Sequence, residues 1–421
     1  MRKSINFILI LFFFSLTGLV AQHEEHAAHK EAQHLEEGEA GHQGEAGHQG
    51  EHGEDEFDVK NTVFHHIGNH NVFSVGIANL PLPAILYSPG EGWDVFMTSK
   101  FDIGHHGNGH KVYNRYVLSE GTIYKIKDKS FPKGEFPIEK LERKIEKVDG
   151  KNREVQYVYV NGKKYKLEPR STWDGGFLGG GITSFYDFSI TKNVIFMIFT
   201  AILLFVIFFS IAKKYKKNKD KAPSGLQSFF EPIIIFIRDE IAIPFIGEKY
   251  NKYLPYLMAT FFFILTLNLL GQVPFLGSVN TTGNLSVTMG LAFIAFMVVN
   301  ISGRKEYWKH VMWMPGVPWW VKATILTPVE FLGLFIKPFT LMLRLFANIT
   351  AGHMVILVFL GLIFIFGKAG KDLSGSFIGI GMSVPLVLFM MALEIIVAFI
   401  QAFVFTMLVA SYIGAAVEEH H

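Results

Sequence analysis

The fold class that the sequence predicts is an all-α polytopic membrane protein with about five membrane helices, an interfacial helix and a small β-rich extracytoplasmic insertion. Three observations carry it. Apolar runs long enough to cross a bilayer, about 20 residues each, recur from residue 191 to 417. Lys/Arg clusters mark only some ends of those runs, in a consistent alternation that assigns cytoplasmic sides. Before the first firm span lies a polar stretch, 22–190, and within it, over 57–187, aromatics alternate with charges. The composition, 421 residues with a net charge of +2 and no cysteine, excludes disulfides and thiolate metal sites. It gives no electrostatic sign of nucleic-acid binding.

The elements follow in order. Met1-Arg2-Lys3, the apolar run Ile5 to Val20 and Ala21 fit a secretory signal peptide over 1–21. Leu19 is imperfect for cleavage, where a small residue is preferred, and a first membrane anchor is the alternative. Either way the next segment lies outside the cytoplasm. Residues 22–56 are rich in His and Glu and carry Gly-Glu-Ala-Gly-His-Gln twice, at 38–43 and 44–49. Without apolar periodicity this tract is expected to be a disordered tether, with weak metal binding or proton buffering as the sharper reading.

Residues 57–187 form the insertion. Val155 to Val160 alternates, Asn161-Gly162 turns, and Lys163 to Leu167 returns, which is a strong hairpin signal. His105, His106 and His110 sit in a Gly-rich loop, a surface feature before it is a metal site.

The membrane domain is expected over 188–417, with a short tail at 418–421. Its first span, about 192–212, ends on Lys213-Lys214-Tyr215-Lys216-Lys217, a cytoplasmic signature. Residues 224–248 are apolar but broken by Glu231-Pro232, Arg238-Asp239-Glu240 and Pro244, as suits a helix lying in the interface. Spans follow at about 253–273 and 285–302, and Arg304-Lys305 returns the chain inside. Trp313, Trp319 and Trp320 form an interfacial belt. Two apolar stretches close the chain, 322–367 and 376–415. The first is about twice the length a span requires, so it tilts, lies along the membrane or breaks.

Those last stretches hold the chemistry. Arg344 sits in an apolar run, where an arginine costs from roughly 2.5–3.5 kcal/mol on insertion scales to about 10–17 kcal/mol in simulations. The default role of such a group is an ion or substrate pathway. At 100° per residue, Glu330, Lys337, Arg344 and Asn348 share a stripe about 80° wide. That stripe should face an aqueous cleft or another protein. His353 falls on the opposite face, where a second pathway or ordinary packing accounts for it. In the last helix Glu394 and Gln401, seven apart, share one face. A desolvated carboxyl and an imidazole can each hold and release a proton. The structural alternatives are an Arg344–Glu394 ion pair and interhelical hydrogen bonding by Asn348 and Gln401.

Leu343-Arg344-Leu345-Phe346-Ala347-Asn348, preceded by Glu330 and Lys337-Pro338 and followed by Ala351-Gly352-His353, resembles subunit a of the F-type ATP synthase membrane sector. Glu394 with Gln401-Ala402-Phe403, Asn268-Leu269-Leu270-Gly271, and Thr281 with Asn284-Leu285 are similar to it too. The likeness covers about 190–417, plus His65-His66-Ile67.

The resemblance implies a stationary proton-channel subunit, not an enzyme by itself and without cofactor. Its implied partners are the c-ring, the b subunits of the peripheral stalk and the lipid bilayer. Its implied place is the bacterial inner membrane, with the N-terminal region periplasmic and the C-terminus cytoplasmic. It maps the family's essential arginine to Arg344, facing the ring carboxylates and blocking a direct leak between two offset half-channels. It maps the paired channel positions to His353 and Glu394, in reversed order relative to many bacterial members. Asn348, Gln401 and Glu330 map to further half-channel positions. No Walker-type phosphate loop is present, so nucleotide chemistry is expected in partner subunits. A sodium-translocating version of the same subunit is the alternative. A metal-cation transporter, suggested by the His-rich tract, is disfavoured because Arg344 would repel its cargo.

Overall fold

The computed structural model describes residues 70–75, 78–104, 107–148, 151–172, 181–217, 222–273, 280–312, 319–367 and 372–418. The expected signal peptide, the His/Glu tract, His105 and His106 lie outside the described residues. The chain divides into a β unit running to Ile195 and a helical unit from Phe196 onward.

The β unit has these strands: β1 Val72–Val75, β2 Ala78–Pro81, β3 Pro83–Ser88, β4 Gly92–Met97, β5 Lys111–Tyr113 and β6 Tyr116–Ser119. They continue with β7 Thr122–Ile126, β8 Glu135–Pro137, β9 Lys140–Val148, β10 Lys151–Val160, β11 Lys163–Glu168 and β12 Tyr186–Asp187. Seven form one sheet in the order β8-β5-β6-β7-β11-β10-β9, and three form another, β12-β3-β4. Alternating side chains explain why β6 is buried throughout. Tyr116 and Leu118 join Ala84, Leu86 and Phe185 in one core, while Val117 joins Val158, Val160 and Leu167 in another.

The expected hairpin is present, with Val160 opposite Lys163 and positive φ at Asn161 (52°) and Gly162 (69°). That pair of left-handed residues makes the two-residue turn whose twist matches the strands. β10 starts earlier than the alternation suggested, at Lys151, because it also pairs with β9 along Val148 to Lys140. Glu91, in the turn after β3, ties the two sheets together. It accepts from buried Lys125 of β7 at 3.2 Å and pairs with Arg115.

Among the described residues five helical stretches are long and apolar enough to cross a membrane. The helices are α1 Lys192–Lys217, α2 Leu226–Phe236, α3 Tyr250–Gly271, α4 Leu285–Ser302, α5 Lys305–Met312, α6 Thr327–Phe366 and α7 Leu373–Val417. After α2 comes a π turn, Ile237–Ala242, where Arg238 and Asp239 pair in the exposed position at 2.6 Å. Pro244 then fits the first turn of Ile243–Ile246, and Gly247 (φ 69°) separates this segment from α3. A side chain would strain that left-handed backbone, so glycine is the residue that suits the break.

The stretch that had to tilt, lie along the membrane or break is unbroken. α6 is 40 residues long and passes through Pro338 as helix. At 1.5 Å per residue it measures about 60 Å, twice a bilayer core of about 30 Å, so it cannot stand upright within one. α7, with 45 residues, has the same constraint. The two pack through small residues, which let backbones approach where apolar burial drives little association. A Cβ on Gly379 would lie 2.9 Å from Ile363 Cα, and Ser383 donates to the Phe359 carbonyl at 2.5 Å.

Candidate functional site

Helix α6 carries Arg344 on a partly open flank. Leu341, Leu345 and Ile349 beside it are buried, Arg344 is half-buried, and Asn348 and Lys337 are exposed. Of the four residues of the polar stripe, Lys337 and Asn348 are exposed and Glu330 and Arg344 are half-buried. Among the described residues no carboxylate forms an ion pair with Arg344. The expected alternative of an Arg344–Glu394 pair is not formed, and no hydrogen bond joins Gln401 to Arg344. Lys337 stands over the ring of Tyr412 on α7, 5.3 Å from its centre. Glu330, near the other end of α6, lies close enough to act on Tyr307 of α5. Burial, followed by that negative charge, pushes the Tyr307 phenol up.

His353 meets Glu394 of α7. Nε2 and Oε1 are 3.7 Å apart. Glu394 is 4% exposed, and among the described residues neither of its carboxyl oxygens has a hydrogen-bond partner. Gly352 makes room for it, since a Cβ there would lie 2.9 Å from Oε1. Gln401, two turns along α7, is also buried. The arrangement joins a buried acid and an imidazole on neighbouring helices, with a guanidinium elsewhere on one of them. A fixed guanidinium attracts a carboxylate but passes no proton on.

Three further contacts escaped the sequence reading. Asn284 caps α4 by accepting from the Ser286 amide at 2.9 Å. Asn268 of α3 accepts from Thr282 at 2.6 Å. Thr350, one turn before His353 on α6, donates to the Gly283 carbonyl at 3.2 Å. Together they seat the polar turn before α4 against the helix that carries Arg344 and His353. Unpartnered Asn268 Nδ2, Asn280 Nδ2 and Thr281 Oγ1 add buried polar atoms to that turn. His110 is exposed, and no group of three metal-binding side chains occurs among the described residues.

Comparison with known proteins decides the family. The profile of the ATP synthase A chain matches residues 194–414, more than half of the sequence. The chain belongs to the ATP synthase A chain family. As a chain of that family it is a multi-pass membrane subunit and not an enzyme by itself. Similar proteins include ATP synthase subunit a of Chloroherpeton thalassium, 42% identical over 243 residues, covering 56% of this chain and 69% of that one. The protein of the same name from Anaeromyxobacter sp. is 44% identical over 243 residues, covering 56% of each. That from Myxococcus xanthus is 40% identical over 259 residues, covering 60% of this chain and 81% of that one. Residues 62–149, within the β unit, match a domain of unknown function (DUF8433).

Proposed function

We propose that this chain is the stationary proton-channel subunit of an F-type ATP synthase, placed in a bacterial inner membrane with its β unit on the periplasmic side. One observation carries the reading: the 3.7 Å approach of His353 and Glu394 on α6 and α7, with unpaired Arg344 on the open flank of α6. The open flank suits a rotating c-ring, whose carboxylates release a proton to one half-channel, pass Arg344 and reload from the other. His353, Glu394 and Gln401 belong to one half-channel in this scheme, and Asn348 and Glu330 to further polar positions. The free carboxyl oxygens of Glu394 and the polar atoms around Asn280 are what a hydrated path requires, because buried polar groups need partners. The b subunits of the peripheral stalk are the other expected partner.

The test is ATP-driven acidification of inverted membrane vesicles, wild type against Arg344→Ala, with and without sodium. Sodium-independent acidification that disappears in the variant, with the complex still assembled, is the expected outcome. Coupled pumping that survives Arg344→Ala sinks the assignment of Arg344. Strict sodium dependence replaces the proton with sodium in the same scheme.

A further inference from the structure

The sheet β12-β3-β4 has one face that carries no charge. Its register pairs Tyr87 with Trp93, Ile85 with Val95 and Pro83 with Met97, three rows that share a face because side chains alternate. β12 extends the first row with Tyr186 opposite Tyr87. The extended chain beyond it keeps the pattern, since Phe188 donates to the Ile85 carbonyl and Ile190 to that of Pro83. Trp93, Val95 and Met97 are 61%, 67% and 44% exposed, and β4 is the sheet's edge strand. Asp94 and Asp187 point to the other side, where they bond Tyr116 and Asn71. The β unit does not lack charge elsewhere. On β9 to β11, Glu142, Lys144, Glu146, Lys164 and Lys166 form ion pairs along the surface.

A bare patch of Trp, Tyr, Met and aliphatic residues is unusual on a water-facing surface. It has the composition of the belts that sit at membrane–water boundaries. The chain says which boundary is within reach. The hydrogen-bonded run through Phe188 and Ile190 ends with the Lys192 amide donating to the His70 carbonyl at 3.1 Å. Lys192 is the first residue of α1, whose exposed Ile198, Phe199, Ile202 and Phe205 are the lipid-facing kind. Along the chain the last of these hydrogen-bonded residues is thus also the first of α1.

We propose that the uncharged face of β12-β3-β4 is a membrane-docking surface, which inserts Trp93, Val95 and Met97 into the lipid headgroup–acyl boundary. Insertion at that boundary reaches roughly 5–10 Å for known interfacial segments. This assignment is independent of the roles of Arg344, His353 and Glu394.

The sequence has no cysteine, so single reporters can be placed cleanly. The full-length chain carrying Val95→Cys is labelled with an environment-sensitive fluorophore and reconstituted into phosphatidylcholine–phosphatidylglycerol vesicles. Ile145→Cys, on β9 and 77% exposed, is the reference. Quenching by nitroxide-labelled lipid is compared with quenching by a water-soluble collisional agent. The expected result is strong lipid quenching and poor aqueous quenching at 95, with the reverse at 145. Adding Trp93→Glu to the reporter chain should abolish the lipid quenching while the reading at 145 stays unchanged. Equal aqueous access at both positions overturns the proposal. So does shielding of position 95 from both agents, which would mean that protein, a second copy or another segment, covers the face.

Discussion

Replacing Gly352 by alanine tests the His353–Glu394 pair without touching either side chain. A Cβ at 352 would stand 2.9 Å from Glu394 Oε1 and 3.2 Å from Cδ. The carboxyl must therefore shift by a few tenths of an ångström. It is the end of a flexible side chain and not backbone, so the helix pair accommodates the change. The cost is an off-rotamer Glu394, about 0.5–1.5 kcal/mol. If the pair transfers protons, a distortion of that size slows the transfer roughly 2- to 12-fold, since each 1.36 kcal/mol is tenfold in rate. Gly352→Val overpacks the same spot and should cost more. Gly381→Ala, where a Cβ meets nothing within 4 Å, serves as the control. The assay is ATP-driven acidification of inverted vesicles, normalised to assembled complex. Unimpaired pumping by an assembled Gly352→Val complex would refute the role given to the pair. Loss of assembly in Gly352→Ala would refute the claim that the carboxyl, and not the backbone, gives way.

Gly414→Ala should behave differently, because its Cβ would collide with the Phe245 carbonyl oxygen, which is backbone. The expected outcome is loss of the subunit from membranes by immunoblot, and normal levels would contradict it. The β unit should lose stability in acid. A hydrogen bond from Tyr159, then one from Lys164, holds Glu142 down at about 2. For Glu91 burial works upward, but the hydrogen bonds from Arg115 and Lys125 outweigh it and hold the carboxyl below its ordinary range. A depressed carboxyl stabilises the fold above its unfolded pKa, and that contribution is lost as pH falls through the folded value. Protease resistance of the β unit in the full-length chain should therefore fall below the ordinary carboxylate range and continue falling toward about pH 2. Glu142→Gln should flatten the curve, and an unchanged slope would count against the pairing.

Much of the architecture was legible because its signals are local. Each span is a run of consecutive apolar residues, and the Asn161-Gly162 turn is two adjacent residues with left-handed backbone. Asn284 was legible only as part of a resemblance. Its physical reason, capping α4, required knowing where that helix begins. The unbroken passage of α6 through Pro338 was not legible either, since proline usually kinks or ends a helix and only neighbouring packing decides otherwise. The strand β12 is two residues long, too short to show a period, so the uncharged face it completes was invisible in the chain.

The sequence by itself determined the membrane class, the five long apolar stretches seen among the described residues, the hairpin and the isolation of Arg344 among apolar neighbours. Those properties are sums over adjacent residues. Only the tertiary structure decided that Glu394 approaches His353 and not Arg344, that Gly352 leaves the space the carboxyl occupies, and that Thr350 holds the turn before α4. These contacts join residues on different helices. Side-chain periodicity says which face of a helix a residue takes, but the choice of neighbour depends on how two whole surfaces pack.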